Sequence, residues 1–165
     1  VCFPGIMYRG GAERKIRKYL IDNNYIDCVI QLPSNLFYGT SIATCIMVLK
    51  KSKADNKVLF MDASKEFVKV TNSNKLTEEN IRHIYNWWHD RKDVQYICQL
   101  LDASAIAEEE YNLSVSSYVE QEDTREKIDI KVLNQQIRDI VAREQVLRDE
   151  IDRIIADIEE GGDHE

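Results

Sequence analysis

At 165 residues the chain has the length of one compact domain, or of a small domain with an extension. With 44% hydrophobic and 31% charged residues, two prolines and six glycines, it excludes wholesale disorder and predicts mostly regular secondary structure. The net charge of −7 is uneven: residues 1–60 hold nine basic against four acidic side chains, the remainder thirteen against twenty-five. That asymmetry fits nucleic acid near one end and protein partners at the other, and equally a solvated surface of mixed charge.

In chain order, Val1–Phe3 suits the end of a strand, and Pro4-Gly5 breaks it. Gly10-Gly11 offers a flexible lead into the next element. Ala12, Ile16, Tyr19 and Leu20 then recur at helical spacing, with Glu13, Arg14, Lys15, Arg17 and Lys18 as a charged outer face. Asp22-Asn23-Asn24 ends that helix. Ile26–Leu32 (IDCVIQL) reads as a strand, Pro33–Ser41 as a loop, and the nearly all-apolar Ile42–Leu49 (IATCIMVL) as a strand buried on both faces. Strand, helix and strand form a crossover unit, right-handed if the two strands pair in parallel. The class is α/β.

Lys57–Ala63 (KVLFMDA) is a further strand, and Ser64–Lys75 a polar loop. Thr77 is the N-cap of a helix with Glu78 and Glu79 in its first turn and Ile81, Ile84, Tyr85 and Trp88 on its apolar face. Trp87 is left to the flank. Tyr96–Leu101 suits a strand, Ser104 caps a short helix through Glu110, and Leu113–Val119 alternates loosely. From Ile130 the texture changes, with no Gly or Pro until Gly161. Leu133, Ile137, Ile140, Glu144, Leu147, Ile151, Ile154 and Ile158 are spaced alternately four and three, a heptad seam interrupted at Glu144. A helix of roughly 30 residues is about 45 Å long, so it should project beyond a small domain. Its seam needs a partner helix or must fold back on the domain, and self-association would satisfy it equally.

The four cysteines, Cys2, Cys28, Cys45 and Cys98, form no C-x-x-C pair and fit reduced, buried thiols better than a disulfide framework. His83, His89 and His164 lie far from any cysteine pair, so no metal site is expected. No apolar run approaches the ~20 residues of a membrane span. Val1–Gly5 lacks the features of a signal peptide, which predicts a cytoplasmic protein. The apolar opening without an initiator methionine is how a piece of a longer chain would begin.

Two stretches say more than their physics. Pro4–Glu13 (PGIMYRGGAE) is followed by Ile16–Leu20 (IRKYL), and Leu32–Ile42 (LPSNLFYGTSI) by Thr44–Leu49 (TCIMVL). With Leu59–Ala63 (LFMDA) and Tyr111-Asn112-Leu113 downstream, their order and spacing resemble the DNA-modification subunits of type I restriction–modification systems over roughly residues 1–120. Ser117 departs from the pattern where an arginine is expected before Tyr118, which puts a phosphate contact there in doubt.

The resemblance implies the C-terminal portion of a Rossmann-like, S-adenosylmethionine-dependent methyltransferase sheet, followed by a long C-terminal helix. Residues 1–63 would be the late strands and crossover helix, and 64–128 a mixed α/β extension. Residues 129–160 would be the docking helix and 161–165 a frayed tail. The family's reaction methylates the N6 amine of adenine in DNA, which requires the base to leave the stack. Its Asn-Pro-Pro-aromatic motif and glycine-rich cofactor loop occur nowhere in these 165 residues. The chain is therefore expected to hold no catalytic residue, to be inactive alone, and to bind no S-adenosylmethionine, which the full-length subunit uses. Implied partners are DNA and the specificity and restriction subunits.

By the same resemblance, the loop Asn35–Ile42 supplies an aromatic that stacks on the flipped base, with Phe37 preferred over Tyr38. Phe37 could instead plug the open end of the sheet. Gly39 would permit a tight turn and Thr40 would bond the backbone locally. Arg9 could reach a phosphate or a partner carboxylate, or face solvent. Leu133, Ile137, Ile140, Leu147, Ile151, Ile154 and Ile158 would dock the specificity subunit. The competing reading is a coiled-coil adaptor with a degenerate α/β domain and no catalytic lineage.

Overall fold

Two uninterrupted apolar runs build the centre of the sheet. The computed structural model describes residues 1–122 and 130–161, and in it β1 (Ile26–Gln31) and β3 (Lys57–Asp62) pair in parallel, Val29 opposite Phe60 and Gln31 opposite Asp62. Both are buried over nearly their whole length, as a strand covered on two faces must be. β2 (Cys45–Leu49) runs antiparallel to β1 on one side, and β6 (Cys98–Asp102) antiparallel to β3 on the other, giving the order β2-β1-β3-β6. The sheet thus crosses the boundary that the sequence places at residue 63.

The opening residues add one antiparallel bridge, Cys2 to Cys45, with N···O distances of 2.8 and 2.9 Å. β2 therefore lies between the start of the chain and β1, and the two arms of the crossover run parallel without pairing. With so slight a neighbour outside it, β2 is mostly half-buried and its lead-in residue Ile42 is exposed, contrary to the two-sided burial its composition predicts.

The helices depart further from expectation. The break at Pro4-Gly5 is a one-turn helix, α1 (Gly5–Tyr8), whose Met7 is buried. α2 (Ala12–Asp22) begins after Gly11, held at φ +72° and ψ −130°, a conformation open to glycine and costly for other residues. It does not bury the face with Ile16 and Tyr19, each 59% exposed, but the one with Ile21 and Arg17, each 4% exposed. The cause is a chemical demand: the carbonyls of Ile6 and Tyr111 need donors. Arg17 supplies Nη1 to Ile6 and Nε to Tyr111, both at 2.7 Å. Burial lowers the guanidinium's proton affinity.

Ser64–Lys75 is not a bare loop, since β4 (Val68–Val70) and β5 (Ser73–Lys75) form a hairpin. α3 (Glu78–Asp90) starts at Thr77, in a reciprocal capping box with Asn80. Leu76, Ile84, Trp87 and Trp88 meet the sheet, whereas Ile81 and Tyr85 face solvent. α4 (Ala103–Glu108) is capped at Asp102 without a side-chain bond, so Ser104 is an interior residue. A 3-10 turn, Val115–Ser117, replaces the loose alternation, with Leu113, Val115 and Val119 buried.

Two decisions of the sheet are polar. Asp27 of β1, 3% exposed, accepts from Trp88 Nε1 at 3.0 Å and from Arg91 Nη1 at 2.9 Å, which ties α3 to the sheet. At the open edge, Asp93 Oδ1 accepts from the Leu100 N–H at 2.7 Å and Val94 bridges Cys98, so the outward groups of β6 are partly satisfied. The four thiols are free. Burial pushes Cys45 up to about 11 and Cys98 up to about 12, and Cys28 further in the same direction.

The chain divides into two units, Val1–Glu122 and Asp123–Glu165. In the second, α5 (Ile130–Gly161) is one continuous helix whose described side chains are all exposed. Residue 129, the expected first residue of that helix, and residues 162–165 of the expected tail lie outside the described residues. Among the described residues no helix is long and apolar enough to cross a membrane.

Candidate nucleic-acid interface

Topology brings three connections to one edge of the first unit. β1 and β3 are parallel and end side by side at Gln31 and Asp62, so the loop after β1 and the hairpin after β3 leave together. The opening residues are antiparallel to β2, hence parallel to β1, and their Cys2 lies in register with Cys45 and Gln31. Pro4–Gly11 therefore emerges at the same edge. In open α/β sheets, the crevice outside the carboxyl ends of the strands is where ligands bind.

The base of the aromatic loop is fixed and its tip is free. Leu32 N–H donates to the Thr44 carbonyl at 2.8 Å, closing the loop, while Pro33 is buried and Leu36 packs on the core. Beyond that anchor Phe37 is 44% exposed and Tyr38 wholly exposed. Gly39 sits at φ +78°, the backbone a tight turn demands, and Thr40 Oγ1 accepts from the Ile42 N–H at 3.1 Å. Thr44 Oγ1, where the loop returns, is a buried oxygen without a hydrogen-bond partner among the described residues.

The hairpin forms the opposite wall. Asn74 holds it to the loop twice, its N–H donating to the Asn35 carbonyl at 2.9 Å and its Nδ2 to the Ser34 carbonyl at 2.8 Å. Phe37, Tyr38 and Gly39 then line one side of an open cleft, and Val70, Thr71 and Asn72 the other. Lys69 and Lys75 are exposed on this hairpin. Sequence reading missed this wall because a three-residue strand has too little alternation to register. The dipeptide Thr71-Asn72, with Thr71 at φ +51°, is also not among the usual turn pairs.

Arg9 ends α1 at the same edge and is exposed, but its guanidinium lies back over Gly5, where an added Cβ would meet Nε at 3.0 Å. Ser117, the departure from the family pattern, serves the fold. Asn112 Nδ2 donates to its Oγ at 3.0 Å, and the Tyr118 hydroxyl donates to the Asn112 carbonyl at 2.7 Å. No group of three His, Cys, Asp or Glu among the described residues could hold a metal ion. What the edge offers is flat aromatic surface, backbone polar groups and lysines.

Comparison with known proteins places the chain in a family. The family model described as N-6 DNA Methylase matches residues 1–127. The chain is 48% identical over 160 residues to the type I restriction enzyme MpnII methylase subunit of Mycoplasma pneumoniae, covering 96% of this chain and 29% of that protein. It is 35% identical over 153 residues to the MjaVII methylase subunit of Methanocaldococcus jannaschii, covering 89% and 26%. The solved methyltransferase subunit of a type I restriction–modification system from Streptococcus thermophilus superposes with a TM-score of 0.71 at 41% identity. That likeness covers 73% of this chain and 25% of the solved one. The chain thus spans under a third of the length of each of these three relatives.

Proposed function

The chain belongs to the N-6 DNA methylase family, and we propose that it is the base-side and docking portion of a type I restriction–modification DNA methyltransferase subunit. Such a subunit transfers the methyl group of S-adenosylmethionine to the N6 amine of adenine. The observation that carries this reading is the cleft at the carboxyl edge of the sheet. Its aromatic tip is exposed while its base is pinned by Leu32, Pro33 and Asn74. An adenine out of its helix has lost two stacking neighbours, and an anchored aromatic face replaces one of them. Phe37, half-covered and so partly ordered in advance, is the better stacking residue. Tyr38 is the freer one and meets the flanking strand. Gly39 and Thr40 shape the turn, and the hairpin lysines with Arg9 meet phosphates. An adaptor without catalytic lineage does not fit the family match.

The sheet reads as the late part of a Rossmann-like methyltransferase sheet: a parallel pair, β1 with the opening residues, separated by the antiparallel β2. Ile16, Tyr19 and Phe3, exposed here, suit a surface covered by the remainder of the subunit. As no Asn-Pro-Pro and no Gly-x-Gly occur in the 165 residues, isothermal calorimetry on this chain should detect no S-adenosylmethionine binding. Micromolar affinity would contradict that assignment.

The second unit supplies the docking. Leu133, Ile137, Ile140, Leu147, Ile151, Ile154 and Ile158 form an apolar stripe on α5, and an isolated helix of this kind is marginal in water. The specificity subunit, which brings the target sequence, is its partner, and the restriction subunit is the third component of such a complex. A chain ending at Asp129 should lose association with the specificity subunit in a pull-down while keeping a cooperative unfolding transition. Retained association would remove the docking role.

A further inference from the structure

We propose that Glu144 selects the partner of α5: the seam accepts a helix of another chain that carries one Lys or Arg opposite Glu144, and it rejects a second copy of itself. This rests on the docking role assigned above and adds the chemistry of the partner.

The stripe fixes the positions. With Ile137, Glu144 and Ile151 at one recurring site of the heptad and Ile140 and Leu147 at the other, Glu144 occupies a seam position flanked on both sides by aliphatic layers. It is also equidistant in sequence from Ile130 and Ile158, aliphatic residues at the same recurring site two heptads to either side. A parallel, in-register pair of copies sets Glu144 directly against its counterpart. An antiparallel pair that keeps most of the stripe covered sets each Glu144 against Ile140 or Leu147 of the other copy, with both carboxylates near the two-fold axis. Each arrangement brings two carboxylates together at the centre of the contact, and taking them out of water with an oxygen left without a donor is costly.

Intrahelical chemistry does not remove the demand. Arg148 Nη2 donates to Glu144 Oε1 at 2.6 Å, on side chains that are 69% and 57% exposed, as an i,i+4 pair does in water. Oε2 receives no donor among the described residues. A lysine or arginine from a facing seam reaches that second oxygen and neutralises the site as it closes. A polar residue at one seam position sets register and partner choice at some cost in affinity, and specificity is the difference between the matched and the mismatched pair.

The test uses the 165-residue chain and two synthetic peptides of residues 130–158, one with the native sequence and one with Glu144→Lys. The chain should bind the Glu144→Lys peptide at least about tenfold more tightly than the native peptide by fluorescence anisotropy. In sedimentation velocity, a Glu144→Ile chain should self-associate at concentrations where the native chain stays monomeric. Equal binding of the two peptides, or a native chain that dimerises as readily as Glu144→Ile, would overturn the selection by Glu144 and leave the docking role standing. Binding of neither peptide, with no association of Glu144→Ile, would overturn both.

Discussion

Arg91→Met is expected to lower the unfolding free energy of the first unit by about 3–5 kcal/mol, the usual consequence of removing one member of a buried ion pair. Asp27 is 3% exposed near the start of β1, and its two oxygens have one strong donor each, Arg91 and Trp88. Methionine keeps the aliphatic stem and the left-handed backbone at position 91 (φ +49°) unchanged in kind, so the loss isolates the guanidinium. What remains is a buried carboxylate held by a single indole N–H. Lys53 cannot easily substitute, because its Nζ already donates to the carbonyls of Ile26 and Lys57 at 2.7 and 2.6 Å. Adding Asp27→Asn to Arg91→Met should recover part of the loss, since the orphaned charge goes with it. Urea denaturation measures both. A loss below about 1 kcal/mol would mean that the pair is solvated and α3 is held by its apolar face alone.

Phe37→Ala, made in the full-length subunit assembled with its specificity subunit, is expected to lower kcat/KM for duplex DNA by about 10- to 100-fold. This follows from a stacking contribution of roughly 1–3 kcal/mol per base. Because Phe37 is 44% exposed, the same change should leave the domain's stability within about 1 kcal/mol. Phe37→Trp, which keeps a flat face, should retain most of the activity. Tyr38→Ala should cost less, since no part of that side chain is anchored. A target adenine placed opposite a mismatch should narrow the gap between Phe37→Ala and the native enzyme, as a base already weakly paired needs less help to leave the stack. Equal losses on matched and mismatched DNA would point to a role of Phe37 in folding or binding in general.

The residues that could be read from the sequence are those whose role is set by their neighbours in the chain. Ile26–Gln31 and Lys57–Asp62 are apolar throughout and sit at the sheet's centre. Thr77 caps α3 through a bond to a residue three positions on, and the four-three spacing after Ile130 is one helix. Residues whose role is set from across the molecule were read wrongly. Arg17 belongs by composition to a solvated face, yet the carbonyls of Ile6 and Tyr111, the latter 94 positions away, draw it inside and turn Ile16 and Tyr19 outward. On α3, Trp87 replaces Ile81 and Tyr85 at the sheet because Asp27 and Arg91 fix the helix's rotation through Trp88. The same division holds at the candidate interface. Phe37 to Thr40 were visible as a loop with aromatics between two strands. The hairpin wall depends on two bonds from Asn74 that no local pattern announces.

A displaced target base should touch the aromatic loop, and photochemical crosslinking reads that contact directly. With 5-iodouracil in place of the target adenine and the full-length subunit in complex with its specificity subunit, irradiation should attach the base within residues 35–42. Phe37 should be the main adduct by mass spectrometry. A crosslink that maps elsewhere in the subunit, with residues 35–42 unmodified, would contradict the assignment of this edge as the base-side wall.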